Sequence, residues 1–141
     1  MSKAPLISIV DDDPLARDGI CELVDSLGYN GVAFVSADHF LQSGLIADTT
    51  CLITDLQMPG LNGLELQEAL RSQGYHTPVI VITAYPNEKH RARALASGAI
   101  GFLSKPFNEQ CLIDCLNTAI HLRSAPARGS VAVHYSDSTR D

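Results

Sequence analysis

No apolar stretch in the 141-residue chain approaches the ~20 residues that a membrane span requires. The opening Met1-Ser2-Lys3-Ala4-Pro5 lacks the apolar core of a signal peptide, so the cytoplasm is the expected compartment, with no membrane partner. Basic residues are in deficit, 10 Lys and Arg against 16 Asp and Glu for a net charge of −6. That balance argues against sequence-independent binding of nucleic acid or an acidic membrane, since both need a cationic face. Cysteine is sparse: Cys21, Cys51, Cys111 and Cys115 form no CxxC pair and have no histidine at zinc-site spacing. They read as reduced core thiols. Cys111 and Cys115 share a helix face, which leaves a metal half-site or redox pair as a lesser alternative. A Gly-rich phosphate loop, a Ser-His-Asp order and an HExxH helix are all missing, so nucleotide hydrolysis, acyl transfer and zinc proteolysis lack their parts. His39, His76, His90, His121 and His134 are scattered and read as surface residues.

What is present is a strand-helix alternation repeated five times. Residues 6–10, 31–35, 51–54, 79–83 and 100–103 are short apolar runs bounded by turn residues, the pattern of buried parallel strands. Asp13-Pro14 predicts an N-cap with proline at the first helical position, and Gly28 predicts the end of that helix. Ser36 caps a second helix to about Leu45, Asn62-Gly63 leads into a third, Pro86 begins a fourth through Ala96, and Asn108 opens a fifth through Ile120. The length suits one domain, to about residue 123. Residues 124–141 lack helical periodicity and read as a flexible polar tail. Strand-helix alternation gives an α/β fold, a parallel sheet with helices on both faces joined by right-handed crossovers.

The polar residues at the strand ends carry the chemistry. Asp11-Asp12-Asp13 follows the first strand, Asp55 ends the central one ahead of Leu56-Gln57-Met58-Pro59-Gly60, Thr83 ends the fourth, and Lys105 follows the fifth. In an open α/β sheet the strand C-termini line one crevice, so these groups meet. Taken alone, the acid triplet is more often a solvated helix start than a metal site, Lys105 more often a surface lysine and Thr83 more often a β-branched strand residue. Together, Asp11, Asp12 and Asp55 repel one another and call for a cation, for which magnesium is suited because it takes one or two carboxylates plus water and a phosphate oxygen. Thr83 and Lys105 supply a hydroxyl and a positive charge to a phosphoryl group. The set matches phosphoryl transfer onto a carboxylate nucleophile.

Residues Ile9-Val10-Asp11-Asp12-Asp13, Thr54-Asp55-Leu56-Gln57-Met58-Pro59-Gly60 with Gly63-Leu64-Glu65-Leu66, Val81-Ile82-Thr83-Ala84, Gly98-Ala99 and Phe102-Leu103-Ser104-Lys105-Pro106-Phe107 resemble the receiver domain of two-component response regulators, in its FixJ-like branch. The resemblance covers residues 5 to about 123. It implies a flavodoxin-like (CheY-like) fold with a five-stranded sheet of order 2-1-3-4-5 and five helices. By the same resemblance Asp55 is the phosphoacceptor, fed by a histidine kinase or histidine phosphotransfer protein. Asp11, Asp12, Asp55 and the backbone carbonyl of Gln57 would hold Mg2+ or Mn2+, while Thr83 and Lys105 bind the phosphoryl group. Thr83 and Phe102 would form the switch, and the Lys105-Pro106 bond is expected to be cis.

On this reading the chain is a phosphoacceptor that changes affinity for a protein partner and turns over no external substrate beyond phosphodonors. The expected output is protein, not nucleic acid, through the face of the fourth helix, fifth strand and fifth helix. A homodimer is one such partner, and Lys89, His90, Arg91 and Arg93 form a basic cluster on that fourth helix. The family's FixJ-like members usually precede a DNA-binding effector, so a receiver cut from a longer transcription regulator is the alternative. A magnesium phosphohydrolase is a rival, though Gln57 stands where such enzymes carry their second acid. An interaction module that is never phosphorylated is the third reading.

Overall fold

Parallel pairing of five short strands sets where every polar group at a strand end lies. The computed structural model describes residues 4–124. The strands are β1 (Leu6–Val10), β2 (Asn30–Phe34), β3 (Thr49–Asp55), β4 (Val79–Thr83) and β5 (Gly101–Ser104), and the helices are α1 (Pro14–Ser26), α2 (Ala37–Leu41), α3 (Gly63–Ser72), α4 (Glu88–Ala96) and α5 (Glu109–Ser124). All pairings are parallel, in the order β2-β1-β3-β4-β5. Val10 lies opposite Thr54, Asp55 opposite Ile82, and Thr83 opposite Ser104. Asp11, Asp55, Thr83 and Lys105 therefore fall along one edge of the sheet, its C-terminal edge.

The side chains alternate between two cores, as a two-residue period demands. Val10, Leu52, Val79, Val81 and Phe102 pack with Phe40 of α2 and Leu66 and Leu70 of α3. Ile7, Ile9, Ile53, Ile80, Ile82 and Leu103 pack on the opposite face with Ile20 and Val24 of α1 and Leu112 and Leu116 of α5. Each such side chain fully buried contributes about 1.5–3 kcal/mol, which fixes both register and helix placement. One polar pair interrupts the first strand: Ser8 Oγ lies 2.8 Å from Thr49 Oγ1. Because the Thr49 hydroxyl donates to the Leu45 carbonyl, Ser8 is the donor in that pair.

Several boundaries differ from the sequence expectation. Helix α2 stops at Leu41 and not Leu45, because Ser43 Oγ donates to the Phe40 carbonyl and accepts from Leu45 N, and Gly44 turns left-handed at φ +79°. Helix α4 begins at Glu88 and not Pro86: Asn87 stays extended and its Oδ1 accepts from His90 N at 2.8 Å, a side-chain cap stronger than the proline signal. Strand β3 starts at Thr49, two residues ahead of the apolar run, where it pairs with Leu6. The Asp13 cap, Pro14 at the start of α1 and left-handed Gly28 at φ +90° match the expectation.

All four cysteines are free. Burial pushes the Cys115 thiol up to about 12 and the Cys51 thiol higher still, which suits packing and not reactivity. His39, His76 and His121 are exposed and His90 is half-buried. His134 and the tail expected at 124–141 lie, from residue 125 onward, outside the described residues. Among those described, no helix is long and apolar enough to cross a membrane.

Candidate functional site

Strand ends and the turns that follow them bring three carboxylates and one ammonium together. Asp11, Asp12 and Asp55 each offer an oxygen within 4.8 Å of the others. Asp11 is 1% and Asp55 8% exposed, while Asp12 is open to solvent. Lys105 Nζ donates to Asp11 Oδ2 at 3.0 Å and lies 3.4 Å from Asp55 Oδ2. At such separations each carboxylate pair repels by roughly 3 kcal/mol at an effective dielectric constant near 20, and one lysine offsets only part of that. Burial first, and the Asp11 charge second, hold the Asp55 carboxyl above its ordinary value, against the pull of Lys105 and of the Gln57 N–H that bonds to it. Burial alone lowers the Lys105 ammonium, but the hydrogen bond and charge of Asp11, followed by Asp55, outweigh it and leave Lys105 raised. An all-oxygen donor set of three carboxylates with excess negative charge fits a hard divalent cation such as magnesium.

Asp11 is held at every polar atom. Its N–H donates to the Phe34 carbonyl at 3.2 Å, and Oδ1 accepts from Asp13 N at 2.9 Å. Its carbonyl accepts from Arg17 Nη1 at 2.9 Å. The Asp55 carbonyl takes the Thr54 hydroxyl at 2.9 Å, and Leu56 N donates to the Ile82 carbonyl at 2.8 Å, extending the ladder past the acid. Gly63, the first residue of α3, is packed so closely that a Cβ there would sit 2.5 Å from the Asp55 carbonyl oxygen. Thr83 is fully buried; its Oγ1 accepts from Tyr85 N at 3.1 Å and its carbonyl from Lys105 N at 2.8 Å. That last bond ties the end of β4 to the end of β5.

Of the residues singled out from sequence, Asp11, Asp12, Asp55 and Lys105 meet directly, and Thr83 is linked to Lys105 through the backbone. Gln57 is exposed beside Asp55. Phe102 is 4% exposed on the core face of β5 shared with α3 and α4, opposite Val81. The Lys105-Pro106 bond is cis. Sequence reasoning missed Arg17 and gave Thr54 and Gly63 no role beyond their place in the quoted motifs. Only Gly63 carried a signal, a glycine directly after the N-cap Asn62. The basic cluster on α4 is partly neutralised, since Arg93 Nη2 pairs with Glu68 Oε2 of α3 at 3.0 Å; His90 Nδ1 separately meets the neutral amide Asn87 Nδ2 at 3.1 Å.

Comparison with known proteins matches residues 7–117 to the response regulator receiver domain. Nodulation protein W of Bradyrhizobium diazoefficiens is 39% identical over 118 residues, covering 84% of this chain and 52% of that protein. The transcriptional regulatory protein FixJ of Azorhizobium caulinodans is 34% identical over 114 residues, covering 81% of this chain and 54% of that one. The solved structure of response regulator StyR superposes with a TM-score of 0.79 at 38% identity, covering 85% of this chain and 61% of the other. The chain spans about half the length of the curated relatives it matches.

Proposed function

Because the chain belongs to the response regulator receiver family, we propose that Asp55 accepts a phosphoryl group and that the phosphorylated chain changes its affinity for a protein partner. The observation that carries this is the convergence of Asp11, Asp12 and Asp55 within 4.8 Å with Lys105 between the two buried acids. Response regulators are phosphorylated by histidine kinases, so the donor is a phosphohistidine of such a kinase or of a phosphotransfer protein. An Asp55 oxygen attacks phosphorus, the P–N bond to the imidazole breaks, and the histidine nitrogen leaves with the bonding pair as an acyl phosphate forms. Asp11, Asp12, Asp55 and the Gln57 carbonyl are the groups that would hold Mg2+ or Mn2+. When bound, magnesium supplies positive charge against the carboxylates and the phosphoryl oxygens.

Lys105 neutralises the incoming charge, and the Thr83 hydroxyl, freed from the Tyr85 N–H, donates to a phosphoryl oxygen. Removing Thr83 from that contact lets the end of β4 move, and Phe102, packed beside Val81 of β4, is the side chain placed to transmit it. Gln57 carries no proton to give a leaving group, so the site favours holding the phosphoryl group over rapid turnover. Gln57 and the 70% exposed Tyr85 flank the approach of an in-line water and set the lifetime of the acyl phosphate. Tyr85→Ala should change that lifetime several-fold while leaving magnesium affinity nearly constant; equal lifetimes would remove the role.

The output runs through α4, β5 and α5 to a protein, a second copy among them, and not to DNA by way of this chain. The coverage of its relatives favours a second reading, that the domain serves as the receiver half of a longer transcription regulator. Acetyl phosphate followed by hydroxylamine tests the chemistry. Hydroxylamine should cleave the modification and leave a hydroxamate at Asp55, whereas a hydroxylamine-stable product or one at another residue contradicts the proposal.

A further inference from the structure

Asp12 stands apart from the other two acids of the cation cluster. Asp11 and Asp55 are buried and lie 3.0 and 3.4 Å from Lys105 Nζ. Asp12 is open to solvent, and its carboxylate has no hydrogen bond or ion pair among the described residues. One of its oxygens nonetheless lies within 4.8 Å of those offered by Asp11 and Asp55. A short side chain that no contact fixes takes its direction from the backbone that carries it, so whatever holds that backbone decides how Asp12 meets a cation.

Both peptide groups that flank Asp12 are pinned. After it, the Asp13 N–H donates to Asp11 Oδ1 at 2.9 Å. Before it, the Asp11 carbonyl accepts from Arg17 Nη1 at 2.9 Å. That carbonyl belongs to a buried residue and has no other partner among the described residues, so without Arg17 a buried acceptor would go unpaired. Arg17 is set in turn by the start of α1: Pro14 follows the Asp13 cap, and the Arg17 N–H donates to the Asp13 carbonyl at 2.9 Å. The choice of partner is informative. Asp11, Asp12, Asp13 and Asp18 are all near in sequence, yet Arg17 forms no ion pair among the described residues. A guanidinium serving as counter-ion would fork onto a carboxylate. Here the counter-ion is Lys105, and Arg17 holds a neutral peptide plane instead.

Taking Asp11, Asp12 and Asp55 as the divalent-cation site already proposed, on which this role rests, we infer that Arg17 is a positioning residue of that site: by holding the Asp11–Asp12 peptide it aims the Asp12 carboxylate at the cation. Arg17 touches neither the cation nor the phosphoryl group and acts through the backbone of its neighbours. The sign of its effect separates this role from electrostatics. A guanidinium bonded to the Asp11 backbone lies beside the site, and its charge opposes a cation there. Removing the charge alone would tighten cation binding, whereas removing the tie loosens it.

Titrating Mg2+ into the 15N-labelled full chain at constant ionic strength, with no phosphodonor present, and following the Asp12 and Asp13 amide shifts tests the role, with the Tm of each magnesium-free protein measured alongside. Arg17→Met, which keeps most of the stem but loses the charge and the donors, should bind Mg2+ about 10-fold more weakly than the parent, the low end of what loss of a group supporting a metal ligand costs. Arg17→Lys, which keeps the charge and a donor, should recover most of that loss. Parental or tighter Mg2+ binding by Arg17→Met overturns the role of Arg17 and leaves the cation site standing, as does a lowered Tm with unchanged affinity, the result of a merely structural bond. An Arg17→Lys chain that binds as weakly as Arg17→Met also overturns it. A parent that binds no Mg2+ overturns the cation site and the role of Arg17 together.

Discussion

Asp55 and Lys105 are raised together for opposite reasons, and each leaves a signature in stability. Burial and Asp11 raise Asp55, so over the window from the ordinary 3.8 up to its folded value the native chain keeps a proton that the unfolded chain has released. Stability from this group falls as pH rises through that window. In chelator-treated protein, Asp55→Asn should therefore melt at a higher temperature than the parent at pH 7, with Lys105 still held by Asp11 at 3.0 Å. That lead should vanish as pH falls below the ordinary carboxylate value; melts across pH that find the parent equal or superior at pH 7 contradict it. Lys105, raised from 10.5 by Asp11 and Asp55, contributes stability present below that value and lost as pH climbs through its higher folded value. The acids and the lysine were legible in sequence because strand ends announce themselves by composition. Arg17 was not, because a side chain reaching back six residues to the Asp11 carbonyl has no periodic signature.

The elements differ in how much of their placement the chain writes locally. Apolar runs bounded by turn residues foretold five parallel strands, while their order was what the family resemblance implied. Helix ends were harder. The side-chain hydroxyl of Ser43 and the amide of Asn87 compete with backbone hydrogen bonding, and they move the end of α2 by four residues and the start of α4 by two from where apolar spacing and proline put them. At α3 the cap is reciprocal: Asn62 Oδ1 accepts from Glu65 N at 2.8 Å and Glu65 Oε1 from Asn62 N at 2.9 Å. Asn62→Ala should cost about 1 kcal/mol and lower Tm by about 3–5 °C. Gly63→Ala should act differently. With a Cβ 2.5 Å from the Asp55 carbonyl, the start of α3 must move off β3, so the rate of modification at Asp55 should fall by more than the stability loss accounts for. Scanning calorimetry alongside acetyl phosphate kinetics separates the two, and a Gly63→Ala protein that reacts at the parental rate contradicts the close approach as a requirement of the site.

For the whole molecule, the fold matters because parallel strands deliver carboxylates, a hydroxyl and an ammonium to one edge while two separate cores pack the sheet from both faces. On the proposed account a change there would pass to the surface through β4 and β5, whose ends are joined by the Lys105 N–H on the Thr83 carbonyl at 2.8 Å. Moving a two-state population from 1:99 to 99:1 takes ~5.5 kcal/mol of differential binding, a sum within reach of charge-assisted contacts from Thr83, Lys105 and a divalent cation to one dianion. Sizing the chain with and without beryllofluoride should show a change in self-association if a second copy is the partner, and Arg91→Glu with Lys89→Glu should reverse it. Unchanged sizes in both proteins exclude the homodimer through α4. All of this rests on Asp55 being the acceptor. The most direct measurement is the intact mass of the chain after incubation with acetyl phosphate, with magnesium and with chelator, in parent and Asp55→Asn. The account predicts one added phosphoryl group in the parent with magnesium and none in the other three samples; a phosphorylated Asp55→Asn chain, or addition that ignores the chelator, would contradict it.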